Sequence, residues 1–564
     1  MINTIWNKWE QNSLIEPSKY AVIFWKEEGV FLRWNFEELL KKANYYSNFF
    51  YELGIKKGDV CAIILRHNPE FYPIYMGIAG TGALPAVLAY PNPRLHPEKF
   101  RQGIIGMSAR SGLDYIITDR ELDEKIRPLI DGKHTTIRDI FFPLEFDGNK
   151  VPDNNNALDN IRKNIRPEDP FLLQHSSGTT GLQKPVVLSN KAVLDHIQNY
   201  GKSIELSEDD KVVSWLPLYH DMGLIAAFHL PLAFGIPSVQ IDPFEWVLAP
   251  HILIEAISKE RGTLTWLPNF AYNVLADKVR DEWIDEYNLE SLRMVINCSE
   301  PIRHNSHIKF YEKYKKIGLR KDALSSSYAM AETTFAVTQN PPAAAIREVI
   351  VDREELANGK VKIISDSTKA RICVSSGKII DGCAVKIVDE NKNELPPYTV
   401  GEIAIRSVSM FDGYRNYPEK TAEVLINGWY YSGDYGFMLD NDLFVIGRKK
   451  DIIIVAGKNI YPEDIEDMVS KIEGVVPGRT IAFGEEDENL GTEVISVIAE
   501  TQLNDNNEKN NLINRIKRAG MDMDITISNV YLVPPKWLIK SSAGKPSRSA
   551  NKQRILEEKL KGKL

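Results

Sequence analysis

Two kinds of hydrophobic pattern alternate through the first three quarters of the chain. VCAIIL (60–65) and LDYIIT (113–118) are unbroken apolar runs, as in strands covered on both faces. Amphipathic stretches such as 36–53 and 306–317 separate such runs and read as helices. The alternation predicts an α/β fold in which layered, mostly parallel sheets carry helices on their faces. Residues 401–446 break the rhythm. GEIAIRS and LFVIG are strands separated by turns, which predicts a smaller β subdomain. Residues 71–91 and 222–239 are apolar enough to raise the question of a membrane span. The first holds three prolines and three glycines, and the second holds His229 and two prolines. Both are predicted to be core, the first as buried helix, turn and buried strand.

A second break falls at GRKKD (447–451). DIIIVAGKNIYPEDIEDMVSKI then restarts as strand, glycine turn and a helix beginning at Pro462, where a proline fits the first helical position. An α+β unit continues to about 545, with LNDNNEKNN (503–511) as a polar loop inside it. The expected division is a large domain over 1–446, a hinge over 447–450 and a small C-terminal α+β domain over 451–564. A chain of 564 residues exceeds what one core usually fills, in keeping with two domains.

Apolar residues make up 43% and charged residues 26%, ordinary for a globular protein. A net charge of -8 and the lack of a long basic run exclude a nucleic-acid binder. Four cysteines lie far apart without C-x-x-C spacing, so they read as reduced thiols rather than a disulfide frame or zinc site. MINTIWNKWEQNSL has no signal-peptide core. Together these features place the chain in the cytoplasm. Nothing in the sequence specifies an oligomeric state.

Candidate chemistry begins at FLLQHSSGTTGLQKPVVLSN (171–190). Ser176, Ser177, Thr179 and Thr180 surround Gly178 and Gly181, and Lys184 follows. Glycines bring backbone N–H groups close to an anion, and the lysine adds a cation, so the loop suits nucleotide phosphates. It is not a Walker loop, because Pro185 and two valines follow the lysine and predict a second strand. On local pattern alone, a plain surface turn is equally open. In SWLPLYHDMGLI, His220 and Asp221 stand at a strand-to-helix junction, where a capping Asp and a core His is the simpler reading. Glu332, amid small residues, suits an oxygen-liganded Mg²⁺. Asp434 suits a pair of ribose hydroxyls, and the Arg448 fork a ribose or phosphate oxygen.

SSGTTG-x-x-K, followed in order by WLPLYHDMG, MVINCSEPIR, SSYAMAETT, SGD, GR-x-K-D, G-x-N-x-x-P-x-D-I-E and KSSAGK, resembles the adenylate-forming superfamily over nearly the whole chain. That superfamily includes acyl-CoA synthetases, luciferases, nonribosomal adenylation domains and fatty-acyl-AMP ligases. The resemblance implies an ATP-binding enzyme whose small C-terminal domain is mobile. It assigns the β- and γ-phosphates to the 176–184 loop and the acyl pocket to His220, Asp221 and Met222. It puts Asn297, Cys298, Ser299 and Glu300 around the adenine, with Tyr328 stacking nearby and Glu332 holding Mg²⁺. Asp434 and Arg448 fall to the ribose, Lys450 to the hinge and Lys545 to the adenylation step. Ala329 and Pro185 each stand where relatives commonly have glycine.

The wording of WLPLYHDMG is most similar to fatty-acyl-AMP ligases. So is the extra segment NPPAAAIREVIVDREELANGKVKIISDSTKA (340–370). In those ligases the insertion accompanies poor use of free CoA. The implied reaction joins a fatty acid to AMP with release of pyrophosphate, then passes the acyl group to the phosphopantetheine thiol of an acyl carrier protein. A fatty acyl-CoA synthetase is the alternative, and an inactive nucleotide- or lipid-binding relative is another.

Overall fold

In the computed structural model, the residues described are 3–26, 29–91, 97–148, 150–175, 183–365, 370–455, 458–487, 492–523, 525–540 and 546–560. The expected all-buried strands form Val60–Ile64 and Tyr115–Thr118, joined by Leu84–Val87 and Asp139–Phe141 into a four-stranded parallel sheet. The amphipathic stretch at 36 becomes the helix Phe36–Glu52, started by a capping box between Asn35 and Glu38. Gly77 of the helix Phe71–Gly80 lies against it so closely that a Cβ would stand 2.5 Å from that of Tyr46.

Both apolar segments are core. Every residue of Phe71–Gly80 is buried, and Leu84–Val87 follows as the buried strand. In the second segment, Met222–His229 is a π-helix, which the apolar pattern does not distinguish from an α-helix. His229 is fully buried, its Nε2 2.9 Å from the Tyr75 hydroxyl, and burial pushes its pKa down to about 3. A neutral imidazole stacked on Trp9 and bonded to a tyrosine is compatible with a dry interior. Among the described residues, no helix is long and apolar enough to cross a membrane.

The second large sheet departs from expectation. Its parallel half runs through Tyr20–Lys26, Ser238–Ile241, Val212–Ser214, Leu264–Leu267, Met294–Asn297 and Leu324–Ala329. Leu324–Ala329 also pairs antiparallel with Ala336–Gln339, and the sheet continues through Lys378–Ile379, Asp442–Arg448, Trp429–Leu439 and Gly401–Ser407 to Cys383–Val388. The β region expected at 401–446 is therefore an extension of this sheet, beginning before 401. A strand's two edges choose partners far apart in sequence, and local pattern does not carry that choice.

The insertion is ordered as the strand Glu348–Asp352, paired with Ala370–Val374, and the short helix Arg353–Ala357. Val351 and Leu356 pack in one apolar cluster with Phe437, Phe444 and, from the C-terminal domain, Tyr461. In that domain Val475–Asp487, Thr492–Thr501 and Ile527–Val533 form a sheet beside the helices Pro462–Ser470 and Asn506–Met521. The polar run at 503–511 is only partly a loop, because a helix begins at Asn506. Asp505 caps it by accepting from the N–H groups of Asn507 and Glu508, and burying Leu512, Ile516 and Gly520 suffices to dock it.

Candidate functional site

The SSGTTG motif leaves the strand Pro170–His175 and returns on Pro185–Ser189, an antiparallel hairpin with His175 opposite Pro185. Ser176, Ser177, Gly178, Thr179, Thr180 and Gly181 themselves lie outside the described residues, as does Lys545. Pro185 is the first residue of its strand, a position that tolerates a missing N–H, and its carbonyl accepts from the Arg415 N–H at 2.9 Å. Gly413–Tyr414 adds a third strand against Val186 and Val187.

That third strand brings together two motifs far apart in the chain. The Tyr414 hydroxyl donates to Glu332 Oε1 at 2.6 Å. Lys184 Nζ lies 3.4 Å from the same hydroxyl and 4.7 Å from the ring centroid. Glu332 is buried in the turn Ala331–Thr333, and its carbonyl accepts from the Phe411 N–H at 2.9 Å. The Tyr430 hydroxyl closes the group at 3.5 Å from that of Tyr414. Burial raises the pKa of both phenols, so they stay protonated.

A second group is drawn from three strands of the large sheet. The Tyr328 hydroxyl donates to Asp434 Oδ2 at 2.6 Å, and Arg448 Nε lies 3.4 Å from Asp434 Oδ1. The register sets Asp434 opposite Arg448 across the pair Trp429–Leu439 and Asp442–Arg448. Desolvation and the Asp434 charge raise the Tyr328 pKa, while the charge of Asp434 raises that of Arg448. Burial lowers the pKa of Lys450, and the charges of Arg448 and Lys184 act in the same direction. Lys450 thus feels the charge of the hairpin lysine.

The segments 214–225 and 294–303 also meet. Gln174 Nε2 donates to the Tyr219 carbonyl at 3.0 Å, tying the hairpin to the 214–225 segment. The Asp221 carboxylate accepts from the Met222 N–H at 2.8 Å, so it does take a capping position. His220 lies beside it, with its N–H bonded to the Pro217 carbonyl at 3.2 Å. The Ser299 hydroxyl approaches Met222 Sδ at 3.8 Å. Trp215, at the head of the segment, stacks on Trp246 with centroids 3.6 Å apart.

Two of the four residues expected around an adenine are fully buried. Asn297 is fully buried and its amide donates to Asn269 Oδ1 at 3.0 Å, with His307 Nε2 at 2.9 Å. Cys298 is fully buried as well. Strand alternation sends Asn297 into the layer of helices, and the polar network there holds it. Ser299 instead adopts φ +68°, an unusual conformation for a non-glycine residue, and Glu300 accepts from the Phe270 N–H at 2.8 Å. Thr334, beside Glu332, has φ +69°. Backbone strain of this kind clusters at binding and catalytic sites.

Tyr414 and Tyr430 are site residues that sequence reasoning missed. The wording FDGYRNYP carried a weak signal, a glycine-tyrosine pair between turns, but a two-residue strand has no periodicity to read. Among the described residues, no cluster of three or more His, Cys, Asp or Glu forms a metal cage. A single buried carboxylate fits Mg²⁺, which takes most of its oxygens from water and phosphate.

Beyond this site, Arg303 and the strand Ala370–Val374 meet the helix Pro462–Ser470. Arg371 Nη1 lies 3.1 Å from Asp464, and Arg303 donates to the Glu463 carbonyl at 3.0 Å. Within the small domain, Arg548 binds Asp451, Glu463 and Glu466 at 2.8, 2.8 and 2.7 Å.

Residues 9–415 match the model of the AMP-binding enzyme family. A medium-chain-fatty-acid–[acyl-carrier-protein] ligase of Moorena producens is 31% identical over 417 residues, 71% of this chain and 70% of its own. A probable long-chain-fatty-acid–AMP ligase of Mycobacterium tuberculosis is 26% identical over 548 residues, 92% of this chain and 91% of its own. Among solved structures, one from a study of fatty acyl-adenylate ligases of E. coli and L. pneumophila superposes with a TM-score of 0.89 at 25% identity, covering 100% of this chain and 98% of that one. A fatty acyl-adenylate ligase of L. pneumophila in complex with acyl adenylate and pyrophosphate gives 0.74 at 25% identity, covering 98% and 96%. This chain belongs to the AMP-binding enzyme family of adenylate-forming enzymes.

Proposed function

We propose that this AMP-binding enzyme activates a fatty acid with ATP and passes the acyl group to the phosphopantetheine thiol of an acyl carrier protein. A carboxylate is a poor acylating agent because oxide would have to leave. In the first step its oxygen attacks the α-phosphorus of ATP, the bond to the bridging oxygen breaks, and pyrophosphate departs with the electron pair. In the second step a thiol attacks the acyl carbon and AMP leaves. No protein nucleophile is required, so the enzyme's contribution is positioning and charge neutralisation.

The observation that carries the reading is a pair of polar groups, each drawn together from segments far apart in the chain. Lys184, Tyr414 and Glu332 form one, and Tyr328, Asp434 and Arg448 the other. We assign the pyrophosphate end of ATP to the 176–184 loop and Lys184, and the ribose to Asp434 and Arg448. Mg²⁺ would be held by Glu332 and would offset the charge of the crowded phosphates. Ser299, Glu300 and Tyr328 take the adenine; Asn297 and Cys298 support that strand end from behind. His220, Asp221 and Met222 border the acyl group, Lys545 serves the adenylation step, and 447–450 is the hinge between domains 1–446 and 451–564. The carrier protein, rather than CoA, is supported by the name of the Moorena relative and by the ordered insertion packed against Tyr461.

The test is purified enzyme with ATP, Mg²⁺ and fatty acids of graded length, supplied with either holo carrier protein or CoA. Acyl-adenylate and pyrophosphate should form, and acyl carrier protein should be the product at a rate well above acyl-CoA. Acyl-CoA at an equal rate would refute the carrier assignment. Absence of pyrophosphate with every acid would refute the activity.

A further inference from the structure

We propose that Tyr414 is a positioning residue that holds Glu332 and Lys184 apart yet in register, so that each is available to the nucleotide. The inference rests on the assignment of Glu332 and Lys184 given above.

Tyr414 sits in a segment fastened to both motifs. On one side the Phe411 N–H donates to the Glu332 carbonyl, and on the other the Arg415 N–H donates to that of Pro185, each at 2.9 Å. Gly413 and Tyr414 pair with Val187 and Val186, the residues that follow the hairpin lysine. The backbone therefore fixes the distance between the carboxylate and the lysine-bearing strand before any side chain acts.

The side chain completes the bridge with a defined polarity. A phenol has one O–H to donate and lone pairs to accept with. Here the donor goes to Glu332 Oε1 at 2.6 Å, and the lone-pair side faces Lys184 Nζ at 3.4 Å. The ring also lies 4.7 Å from the ammonium, an attraction that keeps the lysine over its face. Without the hydroxyl, an ammonium and a carboxylate at this range would close into a direct ion pair. That pair would consume the cation needed by phosphate and the carboxylate needed by the metal. Tyr414 and Glu332 are buried, so their hydrogen bond is shielded from water, while Lys184 stays exposed at the other end.

The test is Tyr414→Phe, which keeps the ring and removes the hydroxyl. Partners behind metal ligands typically contribute about 10–100-fold to metal affinity. The Mg²⁺ concentration for half-maximal adenylate formation should rise about tenfold, with the KM for fatty acid within about twofold of the parent. A second readout needs no turnover. Calorimetric titration with a non-hydrolysable ATP analogue should tighten on adding Mg²⁺ in the parent, and lose most of that tightening in Tyr414→Phe. Because general destabilisation could mimic a loss of rate, a double-mutant cycle with Glu332→Gln accompanies both. If Tyr414 acts through Glu332, the double variant loses no more than Glu332→Gln alone. Additive losses, or an unchanged Mg²⁺ requirement in Tyr414→Phe, would overturn the proposal. A parent enzyme that binds and turns over nucleotide indifferently to Mg²⁺ would instead sink the assignment of Glu332 on which it rests.

Discussion

The two domains bury different kinds of polar group. In the large domain they include imidazoles and phenols. His175, His196, His229 and His307 are enclosed and neutral, and the Tyr414–Glu332 and Tyr328–Asp434 pairs are set into sheet strands and turns. The small domain has no histidine after residue 450 and meets its neighbour through charged arginine contacts such as Arg371–Asp464. Breaking either kind is costly, because a buried group that loses its partner keeps its full desolvation cost; an imidazole, however, takes up a proton near neutral pH, and a guanidinium does not.

Acid should separate the two most strongly. Burial pushes His175 and His307 down to about 4 and His196 and His229 down to about 3. The unfolded chain binds these protons near pH 6.5 and the folded chain does not. Stability is therefore complete above that value and is lost as pH falls from about 6.5 toward 4 and 3, by about 1 kcal/mol per histidine per pH unit. Amide hydrogen exchange at pH 5 should show protection falling first around these histidines, and later in the sheet Val475–Thr501. Equal loss in both domains would dissolve the contrast.

Glu332→Gln comes next. It keeps the shape of the side chain but removes the charge, and adenylate formation should fall by about 100-fold or more with a little-changed melting temperature. Asp434→Asn should follow, raising the KM for ATP about tenfold, since a hydrogen bond to a charged group is worth about 1.5–3 kcal/mol. The smallest effect on adenylation belongs to the interface. Asp464→Asn leaves the largely buried Arg371, 3.1 Å away, without its anion and should cost about 3 kcal/mol of domain docking, with adenylation less affected than by either site variant. Limited proteolysis near the hinge would detect it. An Asp464→Asn enzyme as impaired in adenylation as Glu332→Gln would show that the interface, too, holds catalytic geometry.

Much of the molecule is legible without coordinates wherever one local rule dominates. The strands at 60 and 115 are apolar on both faces, Pro462 starts its helix, and a lysine followed by proline and valines closes a hairpin. What the sequence left out has a different cause. The π-helix at Met222 has the same composition as an α-helix, and the helix at Asn506 hides a minimal apolar stripe under a polar run. The inward turn of Asn297 depends on Asn269 and His307, which no local window contains.

By itself, the sequence determined the α/β class, the two-domain division and the order of the nucleotide-handling motifs, because these depend on periodicity and on residue chemistry. Only the tertiary structure decided which groups stand against one another. It ran the β region onto the main sheet, joined Asn297 to Asn269 and His307, and set Tyr414 between Lys184 and Glu332. The physical reason is the same in each case. Pairing of strand edges and satisfaction of buried donors are settled between segments hundreds of residues apart, where no local pattern reaches.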